Sequence, residues 1–386
     1  MDTLISANLV SQSAPEKAPD LFLFYSSSSS VRATGTKSLL TTPLNSSAFQ
    51  QDLQALFQSE RASGVTKPIV VGAIPFDLNQ PSYLVVPEWS SMQSAPTFDV
   101  TRFNDESFMN HAESYRYTPE YEQFTAGVNE ALKRFEAQQL DKVVLSRVLD
   151  IDFEAALDID RLMGNIMAQN PNAFHFRVPL EDGTLIGASP ELLLRKQGRK
   201  ICSNPLAGSA KRSQNTQQDQ AIAQALAESE KDQHEHRLVV DSIREALQGF
   251  IQVDHIPQAP SLINTPTMWH LSTLIEEELA DPSTCTFDLI KALHPTPAMG
   301  GTPRASALSA IHDIEPHQRH FFSGLVGWCD DQGNGEWAIA IRCAHVSGKT
   351  ARLFAGAGIV AGSDPDKEWR ETGDKMRTML NAFGIQ

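Results

Sequence analysis

Residues Gly324–Val360 read GLVGWCDDQGNGEWAIAIRCAHVSGKTARLFAGAGIV. Three runs rich in aliphatic and aromatic residues, GLVGWCD, GEWAIAIRCAHV and TARLFAGAGIV, follow one another with only short polar, glycine-bearing links between them. Such runs read as strands. Links this short join antiparallel neighbours, whereas a parallel pair needs a crossover of about a dozen residues or more. The same mixture holds upstream. Strands are expected at Leu21–Tyr25, Lys67–Phe76, Ser82–Trp89 and Asp141–Asp152, and in NAFHFRVPL and GTLIGASPELLLRK, and residues 261–279 begin extended. Helices are expected at 51–61, from Thr118-Pro119 to Phe135, near 157–169, over Asp219–Gln248 and near 286–293. Helices alternating irregularly with hairpin-linked strands imply one large α+β domain, not a doubly wound parallel sheet. Residues 1–20 and the serine run at Ser26–Ser30 read as loose polar chain, and 90–117 as a polar, irregular boundary.

Within the middle run, Arg342 alternates in phase with Ala338, Ala340 and Ala344, and Ile341 points the other way. One arginine on a face of alanines leaves room before the guanidinium for bidentate capture of a carboxylate. In the next run Gly356 and Gly358 share the phase of Phe354, so the backbone there can approach a ligand closely. GAGIVA (Gly356–Ala361) matches a relaxed dinucleotide fingerprint. Gly362 and Pro365 follow too soon for a helix to begin where a pyrophosphate needs one, so that reading is rejected.

The chain ends in SDPDKEWRETGDKMRTMLNAFG, Ser363–Gly384. Asp364 can cap a helix and Pro365 suits its first position. Met376, Met379, Leu380 and Phe383 form its apolar face, and Glu368, Glu371 and Lys375 continue that face upward at i, i+3 and i+7. A solvated charged face is the bland explanation, but the pattern recurs: Asp232, Glu235 and Val239 repeat the spacing in the upstream acidic helix. Four carboxylates beside buried faces repel one another unless a cation sits among them, and oxygen-only ligands favour Mg²⁺. Zinc at His234-Glu235-His236 is rejected, because adjacent-but-one histidines point to different sides of a helix.

Two further residues carry proton-transfer chemistry. Lys142 opens an apolar strand. If buried it is a candidate base; otherwise it snorkels to solvent. Glu191, between Ser189-Pro190 and three leucines, is a candidate acid with a raised pKa, or else a strand-edge partner of Arg195.

The 386 residues carry a net charge of −15, which argues against a nucleic-acid partner and means that an anionic ligand needs local cations. Cys202, Cys285, Cys329 and Cys343 are scattered without CxxC pairs and read as reduced thiols of a cytoplasmic protein. No leader and no apolar run of membrane-spanning length is seen. Without heptads or a long apolar surface stripe, a monomer is expected.

DKVVLSR, IGASPELLLRK, PLAGSAKR, SEKDQHEH, HPTPAMGG, GNGEWAIAIRCA, RLFAGAGIV and EWRETGDKM, in this order, resemble the chorismate-utilising enzymes, above all the isochorismate synthases of catecholate siderophore pathways. The likeness runs from about residue 118 to 386 and more loosely through 1–117, one domain throughout. It implies two large, mostly antiparallel sheets flanked by helices with the site between them. It implies Mg²⁺ on Glu235 and Glu371 with Asp232 and Glu368 in support, and chorismate as substrate. Arg342, Gly356, Lys375 and the Gly208-Ser209 backbone would hold carboxylates, and His294, Ala298, Met299, Ile341 and Phe354 would surround the ring. Lys142 would activate the water that adds at C2, and Glu191 would protonate the departing C4 hydroxyl. Lysine at 142, where amine-transferring relatives carry glutamine, favours water as nucleophile. Ala207, where aminodeoxychorismate enzymes carry a nucleophilic lysine, removes the covalent route. A salicylate synthase or a menaquinone-branch isochorismate synthase is the alternative. Ala298-Met299, without the hydroxyl expected of salicylate synthases, counts against the first of these.

Overall fold

A computed structural model describes residues 20–94, 109–252 and 255–385. Among these residues two large sheets and one small one form, and every strand pairing is antiparallel. The larger sheet runs, in spatial order, Gly301–Thr302, Lys142–Phe153, Thr350–Val360, Cys343–Ser347, Gly183–Ser189, Phe174–Leu180, Phe22–Tyr25, Ser29–Thr34 and Trp89–Ser94; Ala112–Thr118 also pairs with Lys142–Phe153. The second sheet runs Ile275–Glu278, Lys200–Asn204, Leu192–Gln197, Gly335–Ile339, Leu325–Asp330, Ile69–Ile74, Tyr83–Val86 and Ser38–Leu40. The expected α+β class with two large antiparallel sheets is borne out. The small sheet, Leu206–Lys211, Met268–Ser272 and Ser261–Asn264, was not anticipated.

The sheets pack face to face through Phe22, Phe24, Val31, Val71, Val326, Trp328 and Ala338. Helices Ile159–Gln169 and Pro365–Ala382 cover the outer face of the larger sheet, with Leu162, Ile166, Met376, Met379 and Phe383 buried there. A third cluster buries Phe49, Phe57, Val128, Val239, Ile243, Phe287 and Trp337, joining five further helices to the second sheet. Among the described residues no helix is long and apolar enough to cross a membrane.

Several local expectations change. The single acidic helix over Asp219–Gln248 is two helices, Thr216–Glu228 and Glu230–Leu247. Ser229 ends the first and caps the second, its side chain accepting from the Asp232 N–H. The irregular stretch 90–117 ends in strands on both sides, Trp89–Ser94 and Ala112–Thr118, while 95–108 lie outside the described residues, as do 1–19. The serine run is more than loop. Ser26, Ser28 and Ser29 hydroxyls donate to the fully buried Glu336 carboxylate at 3.2, 2.8 and 2.6 Å, pinning the larger sheet to the second. Helix Arg304–Ile314 had no counterpart in the sequence reading.

The most consequential change is at two places read as unbroken strands. GTLIGASPELLLRK is divided: Gly183–Ser189 belongs to the larger sheet and Leu192–Gln197 to the second. GEWAIAIRCAHV is divided in the same way between Gly335–Ile339 and Cys343–Ser347. Both chains cross between sheets side by side, joined by Ile339 N–H to Glu191 O at 3.1 Å and Ala188 N–H to Arg342 O at 3.1 Å. Glu191 and Arg342 are therefore corner residues, and corners where strands switch sheets are natural places for side chains to converge.

Candidate active site

At these corners lies a cleft of about 670 Å³, counted to its open mouth. Its wall includes Glu191, Gly208, Ser209, Glu235, Ala298, Met299, Ile341, Arg342, Phe354, Gly356, Glu371 and Lys375. Twelve residues nominated from sequence thus meet in one cavity although they span the chain from 191 to 375. Lys142, Asp232, Glu368 and His294 stand outside that wall.

Glu191 is 2 % exposed. Burial pushes its carboxyl up to about 8, against opposing pulls from the Leu206 backbone, Lys142, Lys375 and Arg342. It is therefore protonated at neutral pH. The strand-edge alternative fails, since Arg195 reaches Glu336 at 3.4 Å instead.

Lys142 is fully buried, so the snorkelling alternative fails as well. Its Nζ lies 2.8 Å from Glu235 Oε1, in charge contact but without hydrogen-bond alignment. Gly358 makes the contact possible. A Cβ there would stand 2.2 Å from Glu235 Oε1 and 3.2 Å from Lys142 Cε. Replacing a buried ion pair by apolar side chains is often neutral or stabilising, so this pair is not explained by stability.

Arg342 reaches the cavity by a route other than the one its sequence phase suggests. It has a positive φ of 49°, uncommon for a bulky residue, and Ala338, Ala340 and Ala344 are buried in apolar cores away from its guanidinium. Its Nη1 donates to Lys375 O at 3.1 Å, and burial lowers its pKa to about 10 despite support from Glu371 and Glu191.

On the terminal helix, capped as expected by Asp364 accepting from Lys367 N–H at 2.9 Å, Lys375 Nζ lies 2.6 Å from Glu371 Oε1 and donates to Gly356 O at 2.9 Å. Ser209 Oγ donates to Glu371 Oε1 at 3.2 Å. Burial pushes the Glu371 carboxyl up, but Lys375, Lys231 and Ser209 together outweigh it and hold the carboxyl below its ordinary value. Glu368, behind it, pairs with Lys231 at 3.0 Å; burial and then the Glu371 charge push its pKa up. Asp232 is raised by burial first and by Glu235 and Glu371 besides.

These four carboxylates are an oxygen-only donor set with mutual repulsion, which fits a hard divalent cation. Three lysines now share the neutralisation: Lys142, Lys231 and Lys375. Among the described residues no three ligand-type side chains already close around one point. Gly208 has φ +82°, and a Cβ there would meet Asp232 Cβ at 3.0 Å, so glycine lets the small sheet approach the acidic helix. His236, rejected as a zinc ligand, is instead buried between Ala207 O and Thr273 Oγ1.

His294 is a correction: its Nε2 bonds to Phe76 O at 3.0 Å, and burial depresses its pKa to about 4, so it braces the loop before Ala298 instead of facing the cavity. The imidazole in the wall is His270, which sequence reasoning missed. It is buried, and its Nε2 has no hydrogen-bond partner among the described residues. Burial, then Arg342 and Lys375, hold it neutral. Phe322 and Ser323 were missed too; they arrive from an irregular connection that carries no periodic signal.

A family model described as chorismate binding enzyme matches residues 89–384. The chain is similar to the isochorismate synthase EntC of Escherichia coli K12, 44 % identical over 393 aligned positions spanning 100 % of both chains. It is 44 % identical to the isochorismate synthase DhbC of Bacillus subtilis, over 86 % of this chain and 84 % of that one. A crystal structure of a putative 2,3-dihydroxybenzoate-specific isochorismate synthase from Bacillus anthracis superposes with a TM-score of 0.89 at 38 % identity, covering 96 % of this chain and 98 % of that one.

Proposed function

The chain belongs to the chorismate-binding enzyme family, and we propose on that premise that it isomerises chorismate to isochorismate. The observation that carries the reading is Glu191. A carboxylic acid kept protonated up to about pH 8 shares one cavity with the buried Arg342 and the half-buried Lys375 and has, behind Glu235, the fully buried Lys142. Hydroxide is a poor leaving group and water a poor nucleophile, so the exchange needs an acid on one side and a base on the other.

Water attacks C2 and gives its proton to Lys142, which acts as the base only as a neutral amine, once it has given up the proton of its ion pair with Glu235. The ring double bonds shift, the C4–O bond breaks, and Glu191 supplies the proton with which the hydroxyl leaves as water. Arg342, Lys375 and the backbone at Gly356 hold the enolpyruvyl carboxylate, supplying the local positive charge that a chain of net charge −15 requires. Ala298, Met299, Phe322, Ile341 and Phe354 form an apolar wall for the ring. Glu235 and Glu371 would hold Mg²⁺, with Asp232 and Glu368 in support. Bound there, Mg²⁺ would neutralise the ring carboxylate and draw electron density from the diene.

We place this activity in the cytoplasm, in a monomer that feeds 2,3-dihydroxybenzoate and catechol siderophore synthesis. The test is to incubate purified protein with chorismate and Mg²⁺ and separate the products. Isochorismate alone is expected. Salicylate with pyruvate would replace this reading by the lyase alternative, and unchanged chorismate would refute it.

A further inference from the structure

The connection from helix Arg304–Ile314 to strand Leu325–Asp330 holds a second buried ion pair, away from the carboxylates of the site. Arg319 is 4 % exposed. Its Nε donates to Glu315 Oε2 at 2.9 Å and its Nη2 to Glu315 Oε1 at 2.6 Å, a bidentate pair. Two further donors go to main-chain carbonyls of two distant segments: Nη1 to Met299 O at 2.8 Å and Nη2 to Val144 O at 2.7 Å. Glu315 Oε1 in turn accepts from Ser146 N–H at 2.6 Å and Ser146 Oγ at 2.8 Å, on the same strand as Val144. The guanidinium lies 4.5 Å from the Phe76 ring centroid.

The main-chain ties of Arg319 end in the cavity wall. Met299 and Val144 line it directly. Arg319 O accepts from Phe322 N–H at 2.8 Å, and Phe322 stacks on Phe354, centroids 5.0 Å apart and planes 9° apart. One guanidinium thus clamps three sequence-distant pieces of the apolar wall. As a buried ion pair it is weak evidence for stability and stronger evidence for a demand on geometry.

We propose that Arg319, held by Glu315, is a positioning residue that sets the apolar wall against which the substrate ring is oriented. It touches no reacting atom. It fixes the spacing between Met299, Val144 and Phe322, so its loss acts on the alignment of the ring with Lys142 and Glu191. This inference rests on the isomerase reading.

The test is Arg319→Lys assayed beside the wild type. Lysine keeps the charge but lacks the planar fork that reaches Glu315, Met299 and Val144 together. Displacing bound reactants by about 1 Å can cost ~100-fold, so a fall in kcat of at least ~10-fold is expected, with KM changed by less than ~3-fold. The alkaline limb of the pH–rate profile should stay in place, because Glu191 is untouched. A variant with lowered thermal stability but wild-type kcat per folded molecule would overturn the inference and leave a structural role only. Should Arg319→Lys fail to fold, Ser146→Ala removes one hydrogen bond to Glu315, and a drop of ~3-fold in kcat at constant KM is expected; unchanged kcat overturns the proposal. A wild type that makes no isochorismate overturns the isomerase reading and this inference with it, whereas an active wild type matched by both variants overturns this inference alone.

Discussion

Glu191→Gln tests the acid through folding as well as through catalysis. The native carboxyl titrates near 8 because it is buried, against 4.5 for a free side chain. Between these values the native state retains a proton that the unfolded state has released, so stability falls as pH rises through the window. Relative to a side chain that does not ionise, the linkage amounts to ~1 kcal/mol at pH 5 and ~3 kcal/mol at pH 7. Glutamine removes the titration while keeping shape and a carbonyl acceptor for the Leu206 N–H. The stability difference between variant and wild type should therefore grow in the variant's favour by ~2 kcal/mol from pH 5 to pH 7, the other titrating groups being common to both. Denaturant unfolding at pH 5, 6, 7 and 8 measures it. On the same samples, turnover should be at least ~100-fold lower while chorismate still binds. A stability difference independent of pH would refute the claim that the fold holds Glu191 protonated. A pH-dependent difference with normal turnover would leave the burial correct and remove Glu191 from the mechanism.

The wild-type kcat/KM should decline above about pH 8 as Glu191 loses its proton; a rate maintained to pH 10 would exclude it as the acid. Lys142→Gln should abolish hydration yet retain chorismate affinity by calorimetry, and wild-type turnover would exclude the base. Glu235→Gln or Glu371→Gln should weaken Mg²⁺ binding sharply, measured by titration calorimetry in the presence of chorismate, and full wild-type activity in excess chelator would remove the two-helix metal site. Gly358→Ala should cost at least ~10-fold in activity with the fold intact by circular dichroism, since its methyl would stand 2.2 Å from Glu235 Oε1; near-normal activity would show that Glu235 has room to move.

What could be read in advance was whatever local spacing decides. The terminal helix begins at Pro365 behind the Asp364 cap, and Glu371 and Lys375 face inward together, because capping and the helical repeat are properties of a few neighbouring residues. Glu191 and Lys142 could be nominated because a charge among aliphatic strand residues is informative by itself. Whether either was buried could not be read, since that depends on which distant element covers it.

Sequence alone determined the residue types of the site, the antiparallel character of the sheets and, through the ordered motifs, the family. Only the tertiary structure decided the geometry. A strand pattern does not say which sheet its next residue joins, so the crossings at Glu191 and Arg342 were hidden, and with them the positive φ that turns Arg342 into the cleft. His270 entered and His294 left the cavity wall for the same reason. The side a histidine faces is set by long-range pairing, here Ser209 with His270 and His294 with Phe76, and pairing energy between residues far apart in the chain leaves no mark in local periodicity.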